Sequence, residues 1–358
     1  MTWQTNSKLV SNADVAEYER LQDPASPVRL GVISNPFSRT NARTRLHDRR
    51  LPHVLQSPQD AVHTRTAAEL DRALRHLLFT RKVNVLGLNG GDGTLHLGLN
   101  RLLVFVNELQ RMYGRHVPLP PLLFLNGGTL NMVSRATGTK GNPAHTVRAF
   151  MKRYGGSQLN EINLKSLPVL TVSTISDDVL RSTRHGFIFG SEVVANALEM
   201  YGLFGEGYSG LMRFFTEVLM GYTLNTRLWQ EHGWKLDAPM TPIKIDDGAP
   251  MTYLAAVAST IDLALAKGVL TALRTHGKGG FSARILTETD PGRVIRSIPR
   301  LLIGGGGATI RDVPLARSLQ LRGGYTLDGE VFLDRTPKGL RREVEVSIAP
   351  FQLRGIVL

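Results

Sequence analysis

The chain of 358 residues predicts an α/β domain, a parallel sheet with helices on both faces, followed by a mainly antiparallel β domain. Three observations predict it. From Val28 to about residue 160, short apolar runs alternate with helical patterns, the rhythm of a parallel sheet. Three of those runs end alike, in SNPFS (34–38), NGGDGT (89–94) and NGGT (126–129). Beyond residue 160 the segments become short, β-rich and separated by turns such as Asp247-Gly248 and Asp328-Gly329. The length suits two domains, and an apolar share of 42% is enough to fill two cores.

In chain order, residues 1–27 are polar, carry Pro24 and Pro27, and read as an N-terminal arm. VRLGVISNP is a strand running into a turn, and TAAELDRALRHLLFT carries Leu70, Leu74, Leu77 and Leu78 at helical spacing. KVNVLGLN buries Val83, Val85, Leu86 and Leu88 as a strand, and TLHLGLNRLLVFVNELQRMY follows it as a long helix. PLLFLNGGT is a further short strand before the helical LNMVSRATG. In NPAHTVRAFMKRYGG, Asn142 caps a helix, Pro143 sits in its first turn and Gly155 closes it. Residues 28–160 therefore form the first domain and 161–348 the second, with a C-terminal tail, 349–358, placed to pack back on the first. The second domain reads as strands in LPVLTVSTI, RHGFIFG, PIKIDD, MTYLAAVAST, FSARILTE, RSLQLRGG and EVEVSIA. A helical insertion, GYSGLMRFFTEVLMGYTL, interrupts it; its Leu211, Phe214, Phe215, Val218 and Leu219 are either core or the border of an acyl-chain pocket or membrane contact. GGGG at 304–307 reads as a loop.

Composition narrows the chemistry. With no cysteine, disulfides, zinc–thiolate sites and thiol catalysis are excluded, and the ten histidines show no metal-ligand spacing. The net charge of +13 gathers partly at RTNARTRLHDRR (39–50) and RTPKGLRR (335–342). Neither cluster is interleaved with aromatics, so an anionic membrane face or a phosphorylated ligand is expected rather than nucleic acid. The opening residues lack a basic-then-apolar leader and no run is long enough to span a bilayer, which predicts a cytoplasmic protein.

A glycine-rich turn between strand and helix gathers backbone N–H groups and leaves a ligand room to approach. Ligands of open α/β sheets bind at the carboxyl edge of the strands, where all three turns lie. The turn at 89–94 adds the carboxylate of Asp92 and the hydroxyl of Thr94, although an aspartate beside glycine also simply forms turns. The P-loop pattern and the G-x-G-x-x-G fingerprint are both absent.

The motifs resemble those of the diacylglycerol kinase catalytic-domain family, which includes bacterial and sphingosine-kinase-like lipid kinases and shares its GGDGT loop with NAD kinases. Gly90, Gly91, Asp92, Gly93 and Thr94 match that loop. Asn35, Pro36 and Ser38 match an N-P-x-S-G opening in which Arg39 replaces the glycine. Gly128, Thr129 and Asn131 match a G-T-x-N turn, with Met132 where many members carry an acid. Thr64, in preference to Thr66, matches the family's capping threonine. GFIFGSEVVANALE is similar to a later segment in which Gly190 replaces the usual aspartate, and Asp328, Gly329 and Glu330 match a late D-G-E.

The resemblance implies an NAD kinase/diacylglycerol kinase-like fold and transfer of the γ-phosphoryl group of ATP, with Mg²⁺, to a lipid hydroxyl. It implies that these turns bind nucleotide, that Asp92 and Asp328 help hold the metal, and that Glu330 is the base. Unaided by it, Asp328 reads as a hairpin-turn residue and Glu330 as a solvated strand residue. As i and i+2 of a strand, the two would share one face in the cleft between domains. The implied partners are a lipid substrate at a membrane surface and anionic phospholipid, giving a peripheral membrane protein; a homodimer is left open. The alternatives are a non-catalytic nucleotide- or lipid-binding relative and, disfavoured by the D-G-E, an NAD kinase-like enzyme.

Overall fold

The computed structural model describes residues 10–43, 50–128, 131–176, 179–204, 208–237, 239, 241–265, 270–275, 279–288, 290, 293, 307, 309–334 and 342–358. Most of the two basic clusters, Thr129, and Gly304–Gly306 lie outside the described residues. The chain divides into two compact units: residues 1–166 with 353–358, and residues 167–352.

The first unit opens with α1 (Asn12–Leu21), where an arm was expected. Ser11 accepts from the Asp14 N–H while Asp14 accepts from the Ser11 N–H, a capping box that fixes the helix start. Val15 and Tyr18 are fully buried. The strands and helices that follow are β1 (Leu30–Ser34), α2 (Arg39–Arg43), β2 (Ala61–His63), α3 (Ala67–Arg75), β3 (Val85–Gly90), α4 (Asp92–Tyr113), β4 (Leu122–Asn126), α5 (Met132–Ala136) and α6 (Pro143–Tyr154). β2, β1, β3 and β4 are parallel neighbours in that order, with Val32 opposite Ala61, Leu30 opposite Val85 and Leu86 opposite Leu122.

Strand alternation sorts their side chains to two faces. Leu30, Val32, Val85, Leu123 and Leu125 pack with Val147, Phe150 and Tyr154 of α6. On the other face, Leu88 lies against Gly98 of α4, and Gly31 lies against Leu77 of the π-helical turn that prolongs α3. Helices therefore cover both faces, as the sequence predicts.

The chain leaves this unit within β5 (Leu164–Ser176), six residues beyond the expected boundary. The second unit contains β6 (Val179–Gly186), β7 (Ile188–Gly190), α7 (Glu192–Tyr201), α8 (Tyr208–Leu224), α9 (Arg227–His232), β8 (Lys244–Ile245), β9 (Ala255–Ser259), β10 (Leu263–Leu265), β11 (Leu270–Leu273), β12 (Phe281–Leu286), β13 (Ile310–Ala316), β14 (Ser318–Arg322), β15 (Tyr325–Leu327), β16 (Glu330–Phe332) and most of β17 (Glu343–Ile356). Six strands form one sheet in the order β13-β12-β9-β7-β15-β16, with antiparallel pairing along it. β5 pairs antiparallel with β6, and β14 with β17 and β8. Phe189, Ala258 and Ile285 of the six-stranded sheet share one core with Leu170, Leu319 and Val344 of the other strands. The helical insertion has its own small core of Met200, Phe214 and Val218. Leu219, read as one of its apolar stripe, is 49% exposed instead.

The expected tail, 349–358, is mostly the end of β17, whose Gly355 pairs in parallel with Leu122 of β4.

Candidate active site

The carboxyl ends of β1, β3 and β4 deliver the three glycine- and asparagine-rich turns to one edge, and hydrogen bonds tie them together. The Asn35 N–H donates to the Asn89 carbonyl at 2.9 Å, and Asn35 Nδ2 donates to Thr94 Oγ1 at 3.0 Å. Ser38 Oγ donates to the Gly127 carbonyl at 2.9 Å, and Thr40 Oγ1 to that of Gly128 at 2.6 Å. The Met132 N–H donates to Asp92 Oδ1 at 2.9 Å, joining the third turn to the second. Asn131, at φ 50°, closes its own turn: its amide accepts from the Gly128 N–H and donates to the Gly128 carbonyl, both at 2.9 Å. Asn35, Ser38, Thr94, Asn131 and Asp92 thus all hold the turns in register.

The glycines have different jobs. A Cβ on Gly90 would fall 2.4 Å from Thr94 Cβ, and one on Gly127 would fall 2.7 Å from the Gly90 nitrogen. A Cβ on Gly128 would come within 2.2 Å of the Gly91 Cα. Gly127 and Gly128 thus allow two backbones to touch, while Gly90 leaves room for the Thr94 side chain. Gly91 is the exception, since its Cβ would meet only the Gly128 Cα, at 3.5 Å. Gly91 is also the N-cap of the 22-residue α4, without a side-chain capping bond, so the first-turn N–H groups of a long helix start there. With the helix dipole, they favour an anion. Gly91, Asp92, Gly93 and Thr94 are all half-buried and so within a ligand's reach.

Thr64 is buried beyond the end of β2, and its N–H donates to the Ser34 carbonyl at 2.9 Å. The helix-capping role falls to Thr66, whose hydroxyl accepts from the Glu69 N–H. Pro36 is half-buried in the first turn. One contributor lies outside the motifs: Thr40, whose signal was a hydroxyl two residues past Ser38.

In the second unit, Asp328 and Glu330 do not share a strand face. Asp328 (φ 52°) and Gly329 (φ 87°) are the two central residues of the hairpin between β15 and β16. Positive φ at both positions is what a type I′ turn requires and Asp-Gly supplies. The Asp328 carboxylate is buried, and its Oδ1 accepts from the N–H groups of Phe187 and Ile188, each at 2.9 Å. Glu330 begins β16 and is exposed. Gly190 lies in β7, opposite Thr326, where a Cβ would fall 2.6 Å from Val194 Cγ1. Valine and threonine methyl groups fill the space a carboxylate there would need.

Residues 29–157 match the family model of the diacylglycerol kinase catalytic domain. They belong to the diacylglycerol kinase catalytic-domain family. The match takes in β1 to α6 and therefore all three turns. No curated protein matches the chain. The diacylglycerol kinase-like fold extends further than the matched domain. A crystal structure of a diacylglycerol kinase from Bacillus anthracis str. Sterne is similar at a TM-score of 0.54 and 15% identity, covering 92% of this chain and 97% of that one. Two structures from the same organism, whose kinase assignment is provisional, reach 0.60 and 0.59 at the same identity and coverage.

Proposed function

We propose that the protein is an ATP-dependent lipid kinase that transfers the γ-phosphoryl group to the hydroxyl of a diacylglycerol-like or sphingoid-like lipid. The observation that carries this reading is the edge where three hydrogen-bonded turns meet the uncapped N-terminus of α4, inside the matched kinase domain. Phosphoryl transfer asks little of a protein beyond positioning and charge neutralisation. The first-turn N–H groups of α4 would hold phosphate oxygens, with Gly91 leaving them space. A magnesium ion carried on nucleotide phosphates needs one or two protein carboxylates, which Asp92 fits as a half-buried acid in that first turn. Such an ion would neutralise charge developing on the transferred group. Asp328, with its carboxylate engaged by two backbone N–H groups, suits holding the hairpin better than binding metal.

In the proposed step the lipid oxygen forms a bond to the γ-phosphorus as the bond from that phosphorus to the bridging oxygen breaks. ADP leaves, and Glu330 takes the hydroxyl proton. Glu330 is the acid of the D-G-E with an exposed carboxylate.

A membrane-surface workplace belongs to the same proposal. No helix among the described residues is long and apolar enough to cross a membrane. The stretch 203–234 nevertheless exposes Leu203, Leu219, Met220, Tyr222, Leu224 and Trp234, and the chain carries a net charge of +13. Apolar and aromatic side chains with basic charge suit peripheral attachment to anionic lipid.

A second reading rests on Gly190, where packing shuts out the carboxylate the family usually has: a relative that binds nucleotide or lipid without turnover. One experiment separates the readings. The purified protein is incubated with γ-labelled ATP, Mg²⁺ and a panel of diacylglycerols and sphingoid bases, with NAD alongside. Labelled lipid is the expected product. Glu330→Gln should lower its rate roughly 10²- to 10⁴-fold, the usual range for a general base, with ATP still bound. Bound ATP without product establishes the second reading, and labelled NAD overturns both.

A further inference from the structure

Phe37 and Arg65 stand at the same sheet edge and have no part in the phosphate-side reading. Phe37 is 67% exposed, and the Arg65 guanidinium carbon lies 5.3 Å from the centre of its ring. The ring is not exposed through slackness of its loop. The Phe37 N–H donates to Asn35 Oδ1 at 2.9 Å, while Ser38 Oγ and Asn41 Nδ2 donate to the Asn35 carbonyl at 3.0 and 2.9 Å. Pro36 restricts the backbone between them. Arg65 is similarly anchored, its N–H donating to Glu69 Oε2 at 2.6 Å beside the cap of α3. A fixed loop therefore keeps an aromatic face in water with one cation against it, forgoing the burial such a ring normally gains.

We propose that Phe37 is the stacking platform for the nucleobase of the bound nucleotide, with Arg65 as its flanking cation; this rests on the nucleotide reading above. Strand register places it suitably. Ser34, the last residue of β1, is opposite both His63 of β2 and Asn89 of β3. Parallel strands are about 4.8 Å apart, so the loops after β1 and β2 leave the edge roughly 5 and 10 Å from the turn at 89–94. Ribose bridges a gap of that order when phosphates occupy the turn. Every base has a π-face that stacks on an aromatic ring, and guanidinium planes stack on the same systems.

The test is calorimetric titration of the full chain with ATP and, separately, with inorganic tripolyphosphate, which has the phosphates and no base. Phe37→Ala should weaken ATP roughly 5- to 100-fold, the usual worth of one stacked base, and change tripolyphosphate by less than about twofold. Phe37→Tyr should restore ATP affinity. Unchanged ATP binding in Phe37→Ala overturns the platform and leaves the phosphate site standing. Equal weakening of both ligands also overturns it, because the ring would then only support the loop. A wild-type chain that binds neither ligand overturns the nucleotide reading and the platform with it. Since Phe37 is mostly in solvent, thermal midpoints of the variants should match wild type.

Discussion

Gly91 and Gly128 face each other across two turns, yet they are not interchangeable. A methyl group on Gly128 would sit 2.2 Å from a backbone carbon that has no easy way to yield, whereas one on Gly91 would meet the opposite backbone at an ordinary 3.5 Å. Gly128→Ala is therefore expected to lose about 1–3 kcal/mol in urea unfolding, the usual cost of overpacking. Gly91→Ala should stay within about 1 kcal/mol of wild type, the difference between glycine and alanine at an N-cap, while its ATP affinity falls. Equal destabilisation of the two would mean that Gly91 serves packing alone. The sequence showed where the glycines cluster but could not tell ligand space from backbone contact, because the partner backbone lies tens of residues away. Asp328 illustrates the same limit. Its turn chemistry was legible from Asp-Gly, but its bonds to Phe187 and Ile188 span about 140 positions and leave no local trace.

At the scale of elements, the parallel strands and their helices were readable because continuous apolar runs and 3.6-residue spacing need no tertiary information. α1 was not. Its polar residues mask the Val15 and Tyr18 stripe, although Ser11 and Asp14 at capping-box spacing announced it. At the other end, β17 runs on through the expected tail: residues 343–347 pair with β14, and Gly355 with β4. α1 carries its own prediction. Tyr18 is buried, its hydroxyl donates to the Pro118 carbonyl at 3.1 Å, and burial pushes its phenol well above the ordinary range. Above about pH 10 the unfolded chain loses this proton while the folded chain keeps it. Stability is thus fully present below pH 10 and falls as pH rises beyond it. Tyr18→Phe should cost about 1 kcal/mol near neutrality, for one lost hydrogen bond. It should also make the alkaline decline shallower, leaving the share due to buried Tyr325, whose phenol is raised in the same direction. Urea midpoints at about pH 7 and about pH 10.5 check both. An unaltered decline would assign it to other groups.

For the whole molecule, the informative quantity is charge. Forty-three lysines and arginines against thirty acids give a field that falls off within a Debye length of about 10 Å at 0.1 M salt. Each basic residue close to an anionic leaflet is worth about 1 kcal/mol, so a few suffice for reversible attachment. The exposed Leu224 and Trp234, 67% and 63% accessible, would add an apolar component that salt does not screen. The two contributions separate experimentally. Co-sedimentation with phosphatidylcholine vesicles should rise steeply as phosphatidylserine is added, and most of that gain should vanish near 1 M salt, where the Debye length is about 3 Å. The residue left at high salt should fall in a Leu224→Ala/Trp234→Ala variant, while the salt-sensitive part stays as it was. Binding that ignores both lipid charge and salt would give the apolar side chains the whole task. Absence of binding to every vesicle would remove the membrane from the proposal and confine the proposed activity to lipid presented in solution.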